Sequence, residues 1–306
     1  MLTGIHVLLT YQCTGECDHC FLHCSPQCEG TFTLQQIRAL LYEIRKIGTV
    51  DTVYFEGGEP FLYYALLLES LRLVRAAGLN AGIVTNGYWA TCEQDAELWL
   101  RPLVELGICD FSVSDDEFHS SKGETSPGAI AYRAAEKLGL PADRICIEAP
   151  QAICGACPQQ NEPDPHKGQP VIGGGVLFKG RAAEKLTAGL PLRDWRQLTT
   201  CPHEELAEPE RVHVDCYGNV HVCQGLSIGN MWQMPLAQLL REYQPERHPI
   251  IGPLIRGGPA QLVREFRLEA GEGHVDECHL CYTARKALLP RFPQLLAPEA
   301  VYGVAR

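Results

Sequence analysis

The sequence predicts an α/β protein: a partial (β/α)6 TIM-like barrel followed by a small cysteine-bearing module. Two observations carry that reading. From residue 5 to about residue 178, short β-rich runs alternate with amphipathic stretches long enough to be helical crossovers between parallel strands. Beyond about residue 190 that rhythm stops, and cysteines return at positions 201, 216, 223, 278 and 281.

Six strands are expected, at Ile5–Tyr11, Thr52–Glu56, Ala81–Thr85, Asp110–Ser114, Arg144–Glu148 and Val171–Phe178. Thr33-Leu34-Gln35-Gln36 has the form of a capping box, opening a helix whose apolar face is Leu34, Ile37, Leu41 and Ile44, with Gly48 as its C-terminal stop. Gly78, Gly107 and Gly139 end the next three helices, and Ser126-Pro127 starts the fourth. Pro150 to Gly175 lacks helical periodicity and reads either as a lid or as a surface loop. The barrel is placed at residues 1–190 and the second module, with its tail, at 191–306. Within that module Arg211–Asp215 and Asn219–Val222 flank Tyr217-Gly218 as a hairpin, and short helices are expected near 235–242, 259–268 and 279–289.

Composition narrows the function. A chain of 306 residues, 45% apolar, can bury a large core. The N-terminus lacks a signal-peptide pattern, and the longest apolar run, Phe61 to Leu68, is too short to span a bilayer. Fifteen cysteines without a secretion signal point to a reducing compartment, with the cytoplasm as the expected location. A net charge of −11 argues against nucleic acid as a partner.

Cys13, Cys17 and Cys20 form a CxxxCxxC cluster directly after the first strand. Three thiolates at that spacing suit three corners of a four-iron cluster, leaving one iron open; zinc, the alternative, usually takes four ligands in paired modules. Three further motifs end successive strands: Glu56-Gly57-Gly58-Glu59-Pro60, Thr85-Asn86-Gly87 and Ser112-Val113-Ser114-Asp115-Asp116. In barrels of this kind chemistry sits at the C-terminal strand ends. Taken together and in this order, the motifs resemble the radical S-adenosylmethionine superfamily.

The resemblance implies a [4Fe-4S] cluster on Cys13, Cys17 and Cys20 and S-adenosylmethionine on its open iron. It implies that Gly57 and Gly58 let the backbone approach the cofactor amine, with Glu59 and Pro60 fixing the edge, and that Ser114 and Asp115 lie near its ribose or carboxylate, with Asn86 near the same pocket. His19 takes the place of a planar residue packed beside adenine. Cys201, Cys223, Cys278 and Cys281 resemble the twitch and SPASM modules of one branch, implying one auxiliary [4Fe-4S] cluster that carries electrons. Zinc again remains the alternative, and Cys216 competes with Cys201 as a ligand.

Arg181, in Gly180-Arg181-Ala182, reads either as a carboxylate-holding charge or as a solvated ion pair. Glu148, Asp116, Glu117 and His119 are candidates for proton transfer or substrate binding by their place at the rim. Cys24, Cys28, Cys154 and Cys157 read as incidental thiols or as a further metal or redox site. The leading expectation is an enzyme that removes hydrogen from an unactivated C–H bond of a small molecule, supplied by a low-potential electron donor of the flavodoxin or ferredoxin type. A maturase acting on a peptide or protein is the alternative, and a non-catalytic electron carrier the third reading.

Overall fold

A computed structural model of the chain describes residues 1–120, 125–153, 171–271 and 273–304. Its strands are β1 (Gly4–Thr10), β2 (Thr52–Gly57), β3 (Asn80–Thr85), β4 (Asp110–Ser114), β5 (Ala142–Ile145), β6 (Gln151–Ile153), β7 (Val171–Gly173), β8 (Arg211–Asp215), β9 (Asn219–Cys223) and β10 (Leu226–Asn230). The helices are α1 (Leu34–Ile47), α2 (Tyr64–Ala76), α3 (Glu93–Leu106), α4 (Pro127–Lys137), α5 (Arg181–Lys185), α6 (Leu236–Arg241), α7 (Ile251–Phe266) and α8 (Glu277–Leu288). One sheet runs in the order β10-β9-β8-β1-β2-β3-β4-β5. The strands from β8 to β5 in that order pair in parallel, while β9 and β10 pair antiparallel at the edge.

The punctuation seen in the sequence is built as expected. The Thr33 hydroxyl accepts from the Gln36 backbone, the Gln36 side chain returns the contact, and Gly48 closes α1 in a left-handed conformation. Ser126 caps α4, its hydroxyl accepting from the Ala129 N–H, with Pro127 in the first turn. On β1 the side chains of Ile5, Val7 and Leu9 are fully buried in the apolar core, and each such burial is worth about 1.5–3 kcal/mol. His6, Leu8 and Thr10 occupy the other face. A polar residue at a fully flanked central strand position marks that face as the one turned to the barrel interior.

The sixth strand differs from expectation. Val171–Gly173 pairs antiparallel with Gln151–Ile153 in a separate two-stranded sheet, and the chain then leaves extended structure. Gly174 and Gly175 follow with φ of 106° and 74°, values that end a strand. The place beside β1 is taken instead by β8, from beyond residue 190, in parallel register with His6 opposite His213. The hairpin of the cysteine-rich region thus extends the barrel sheet. Among the described residues no helix is long and apolar enough to cross a membrane.

Candidate functional site

A cavity of about 290 Å³ opens at the C-terminal ends of the parallel strands. Cys13, Cys17 and Cys20 line it together with His19, Gly57, Gly58, Asn86, Ser114 and His119, so residues from β1, β2, β3 and β4 strand ends meet in one place. The Cys20 thiol is pulled down to about 6, chiefly by a hydrogen bond from the Cys24 thiol, while burial holds Cys13 up at about 11. Cys24 also lines the cavity.

The glycine pair has a steric reason. The Gly58 N–H donates to the Thr10 carbonyl at 2.7 Å, and the Glu59 N–H to the Gln12 carbonyl at 2.9 Å. A Cβ on Gly58 would overlap the Gln12 carbonyl, and one on Gly57, at φ 132°, the Thr10 carbonyl. The end of β2 therefore lies directly against the chain leading into the cysteine loop. Glu59 is fully buried, and its carboxylate accepts from the Phe61 N–H at 2.9 Å, the Thr85 hydroxyl at 2.8 Å and the Asn86 N–H at 2.7 Å. It clamps β2 to β3 and is absent from the cavity lining, as is Pro60. Burial raises its carboxyl to about 7 despite those donors. Asn86, so held, directs its amide to the Thr14 hydroxyl at 3.0 Å and the Cys13 sulfur at 3.6 Å.

The remaining rim candidates separate. Asp115 accepts from the Ser126 hydroxyl at 2.6 Å and pairs with Arg144 at 3.2 Å, turned to α4 and β5 and away from the cavity lining. Asp116 is buried and bonds the His119 ring at 2.8 Å. Burial alone would lower the His119 imidazole, but Asp116 and Cys17 raise it to about 10, so a charged ring faces the cavity. His19 packs on Phe118 and His119, and burial lowers it to about 4. Glu148 is exposed and outside the lining, and Glu117 is exposed.

Arg181 is neither a rim charge nor a solvated ion pair. Its guanidinium is buried and donates to the Cys17 and Cys24 carbonyls, each at 2.7 Å, while its N–H reaches the Cys20 carbonyl at 2.9 Å. The residue fastens the cysteine loop. Gly180, at φ 57°, permits this because its α-carbon lies against Phe21.

The sequence reading assigned no role to Glu56, His6 or His213, which meet beneath the cavity. Glu56 lines the cavity, and its carboxylate lies 3.3 Å from His6 Nδ1 and 3.3 Å from His213 Nε2. Burial would raise Glu56, but the two imidazoles hold it below the usual range. Burial lowers His213 to about 3, so its ring is neutral. The available signal was His6 inside the run Ile5-His6-Val7-Leu8-Leu9. His213 had none, since β8 is distant in sequence from β1.

Cys201, Cys223, Cys278 and Cys281 line a second, smaller cavity together with Lys179 and Arg285; Cys216 is not among its lining residues. Lys179 is buried with Nζ 3.5 Å from the Cys223 sulfur and 3.3 Å from Gln224 Oε1. Gln224 Nε2 in turn lies 3.0 Å from His213 Nε2. A buried polar thread therefore runs from the four-cysteine cavity to Glu56. Cys28 bonds Ser25 and the His23 carbonyl, and Cys154 and Cys157 lie outside the described residues.

Residues 7–121 match the model of the Radical SAM superfamily. Over 116 residues the chain is 27% identical to YydG of Bacillus subtilis (strain 168), a protein named for peptide biosynthesis, covering 38% of this chain and 36% of that one. Over 136 residues it is 28% identical to the tungsten-containing aldehyde ferredoxin oxidoreductase cofactor-modifying protein of Pyrococcus furiosus, covering 44% and 36%. The chain thus spans about a third of the length of these curated relatives. Among solved structures, BtrN in complex with AdoMet and 2-DOIA aligns with a TM-score of 0.49 at 16% identity, covering 78% of this chain and 82% of that one. Residues 7–121 of the barrel are thus similar to the radical SAM superfamily, enzymes that use a [4Fe-4S] cluster and S-adenosylmethionine.

Proposed function

We propose that this protein removes a hydrogen atom from an unactivated C–H bond of a small-molecule substrate and completes an oxidation with the help of an auxiliary [4Fe-4S] cluster. The observation that carries the reading is the meeting of Cys13, Cys17 and Cys20 with Gly57, Gly58, Asn86 and Ser114 around one cavity. When bound there, cluster and cofactor supply a 5′-deoxyadenosyl radical. Cys13, Cys17 and Cys20 would hold the cluster, Arg181 and Asn86 would set the loop that carries them, and Ser114 and the glycine edge would border the cofactor. Asp115, Asp116 and Glu59 act behind these groups, through α4, His119 and β3.

A substrate that loses hydrogen and then an electron must also release a proton. Glu56 is placed to take it, being an ionised carboxylate on the cavity floor. His119 faces the same cavity as a cation and is suited to hold an anionic group. Glu148 would act only from outside the lining. The second cavity brings together Cys201, Cys223, Cys278 and Cys281, a donor set that suits a fully ligated cluster. The name of the Bacillus relative favours a second reading, in which the substrate is a peptide.

Anaerobic turnover with deuterated pools tests both. Deuterium from labelled small metabolites should appear in 5′-deoxyadenosine; transfer only from labelled peptides would replace the first reading with the second. Transfer from neither would remove the hydrogen-abstraction assignment.

A further inference from the structure

Two buried cations stand at the four-cysteine cavity without an acidic partner among the described residues. Lys179 is 4% exposed and Arg285 1%. The polar contacts of Lys179 are the Cys223 sulfur and the Gln224 amide oxygen. Arg285 Nη1 lies 4.0 Å from the same sulfur and 3.2 Å from the Gln224 carbonyl, and its Nε has no partner at all. The two carboxylates that line this cavity are engaged elsewhere, Glu204 with Arg211 at 3.3 Å and Glu277 with Arg193 at 3.2 Å. Two uncompensated buried charges are costly unless an anion sits beside them. A four-thiolate cluster is that anion, and both cations converge on one of its sulfurs.

We propose that Lys179, supported by Arg285, raises the reduction potential of a cluster held by Cys201, Cys223, Cys278 and Cys281, and so makes it an electron acceptor. Reduction adds one negative charge in a buried site, where a cation and an N–H···S hydrogen bond favour the reduced form. This rests on the auxiliary cluster of the function proposed above and deepens it, because it fixes the direction of electron flow. The electron comes from the substrate carbon radical left by hydrogen-atom removal, the accompanying proton goes to Glu56, and the substrate gains a double bond. Lys179 is a positioning residue here, acting through Cys223 and touching no substrate.

The test is a redox titration of the reconstituted holoprotein followed by electron paramagnetic resonance, with iron counted in each sample. Lys179→Gln and Lys179→Met should lower the midpoint of the auxiliary signal by at least a tenfold change in the reduction equilibrium, about 59 mV for a one-electron couple. Lys179→Arg, which keeps the charge, should hold it near wild type. Unchanged midpoints in both neutral variants with full iron content would overturn the inference. Loss of the auxiliary iron in both, with retention in Lys179→Arg, would overturn it in favour of a purely structural role. Wild-type protein with about four irons per chain in place of about eight would remove the auxiliary cluster itself, a failure of the underlying reading that the iron count separates from the others.

Discussion

Gly58 shows at the scale of one residue how packing and chemistry are joined. Its missing side chain lets β2 lie against Gln12, one residue before the first cysteine. Gly58→Ala must push that backbone apart, and overpacking of this kind costs about 1–3 kcal/mol. Urea unfolding should show a lower midpoint and reconstitution a loss of iron; an unchanged midpoint would mean that the contact is looser than the structure makes it. His213 supplies a pH dependence. Burial holds its imidazole at about 3, against 6.5 for an ordinary histidine, so below 6.5 the unfolded chain takes up a proton that the folded chain refuses. Its contribution is present above 6.5 and is lost as pH falls toward 3. His213→Gln should flatten stability against pH in that window, measured by urea titration at pH 7 and pH 5; an equal slope in both proteins would show that His213 is not the titrating group.

At the scale of elements, the cysteine loop between β1 and α1 is held from outside. Arg181 gives it two side-chain hydrogen bonds and one backbone bond, and His23 reaches Tyr282 of α8 at 3.2 Å. Arg181→Met would leave the Cys17 and Cys24 carbonyls without these donors, at roughly 1–3 kcal/mol for each buried group. Iron should then be stripped by a chelator several-fold faster from the variant; equal rates would contradict the fastening role. The motif glycines, the capping box and the cysteine spacing were legible because each is a local demand on the chain. The part played by Arg181 was not, since its partners lie 164 and 157 residues away. The strand read at Val171–Phe178 failed for a local reason: its β-rich letters enclose Gly174 and Gly175, whose positive φ values stop pairing.

For the whole molecule, the feature that sequence periodicity could not reveal is the continuity of the sheet. Pairing of β8 with β1 puts His213 against Glu56 and, through Gln224 and Lys179, links the four-cysteine cavity to Glu56 by buried polar contacts. The alternating pattern located the rim and four of its motifs, but the edge beside β1 is filled by non-local pairing that no local signal encodes. The cavity carboxylate was hidden for the same reason. Glu56 stood in plain view beside the glycines, yet only its two histidine neighbours from β1 and β8 distinguish it from a strand-end residue. Glu56→Gln should therefore leave iron content intact and lower product formation by about 10²–10⁴-fold if it is the proton acceptor. Unaltered turnover would move that role to another group.

The most direct measurement is the formation of 5′-deoxyadenosine from S-adenosylmethionine by the anaerobically reduced protein. Wild type and a Cys201→Ala/Cys278→Ala variant should both cleave the cofactor, and Cys17→Ala should not. No cleavage by iron-replete wild type, or cleavage that persists in Cys17→Ala, would contradict the assignment of the barrel cavity.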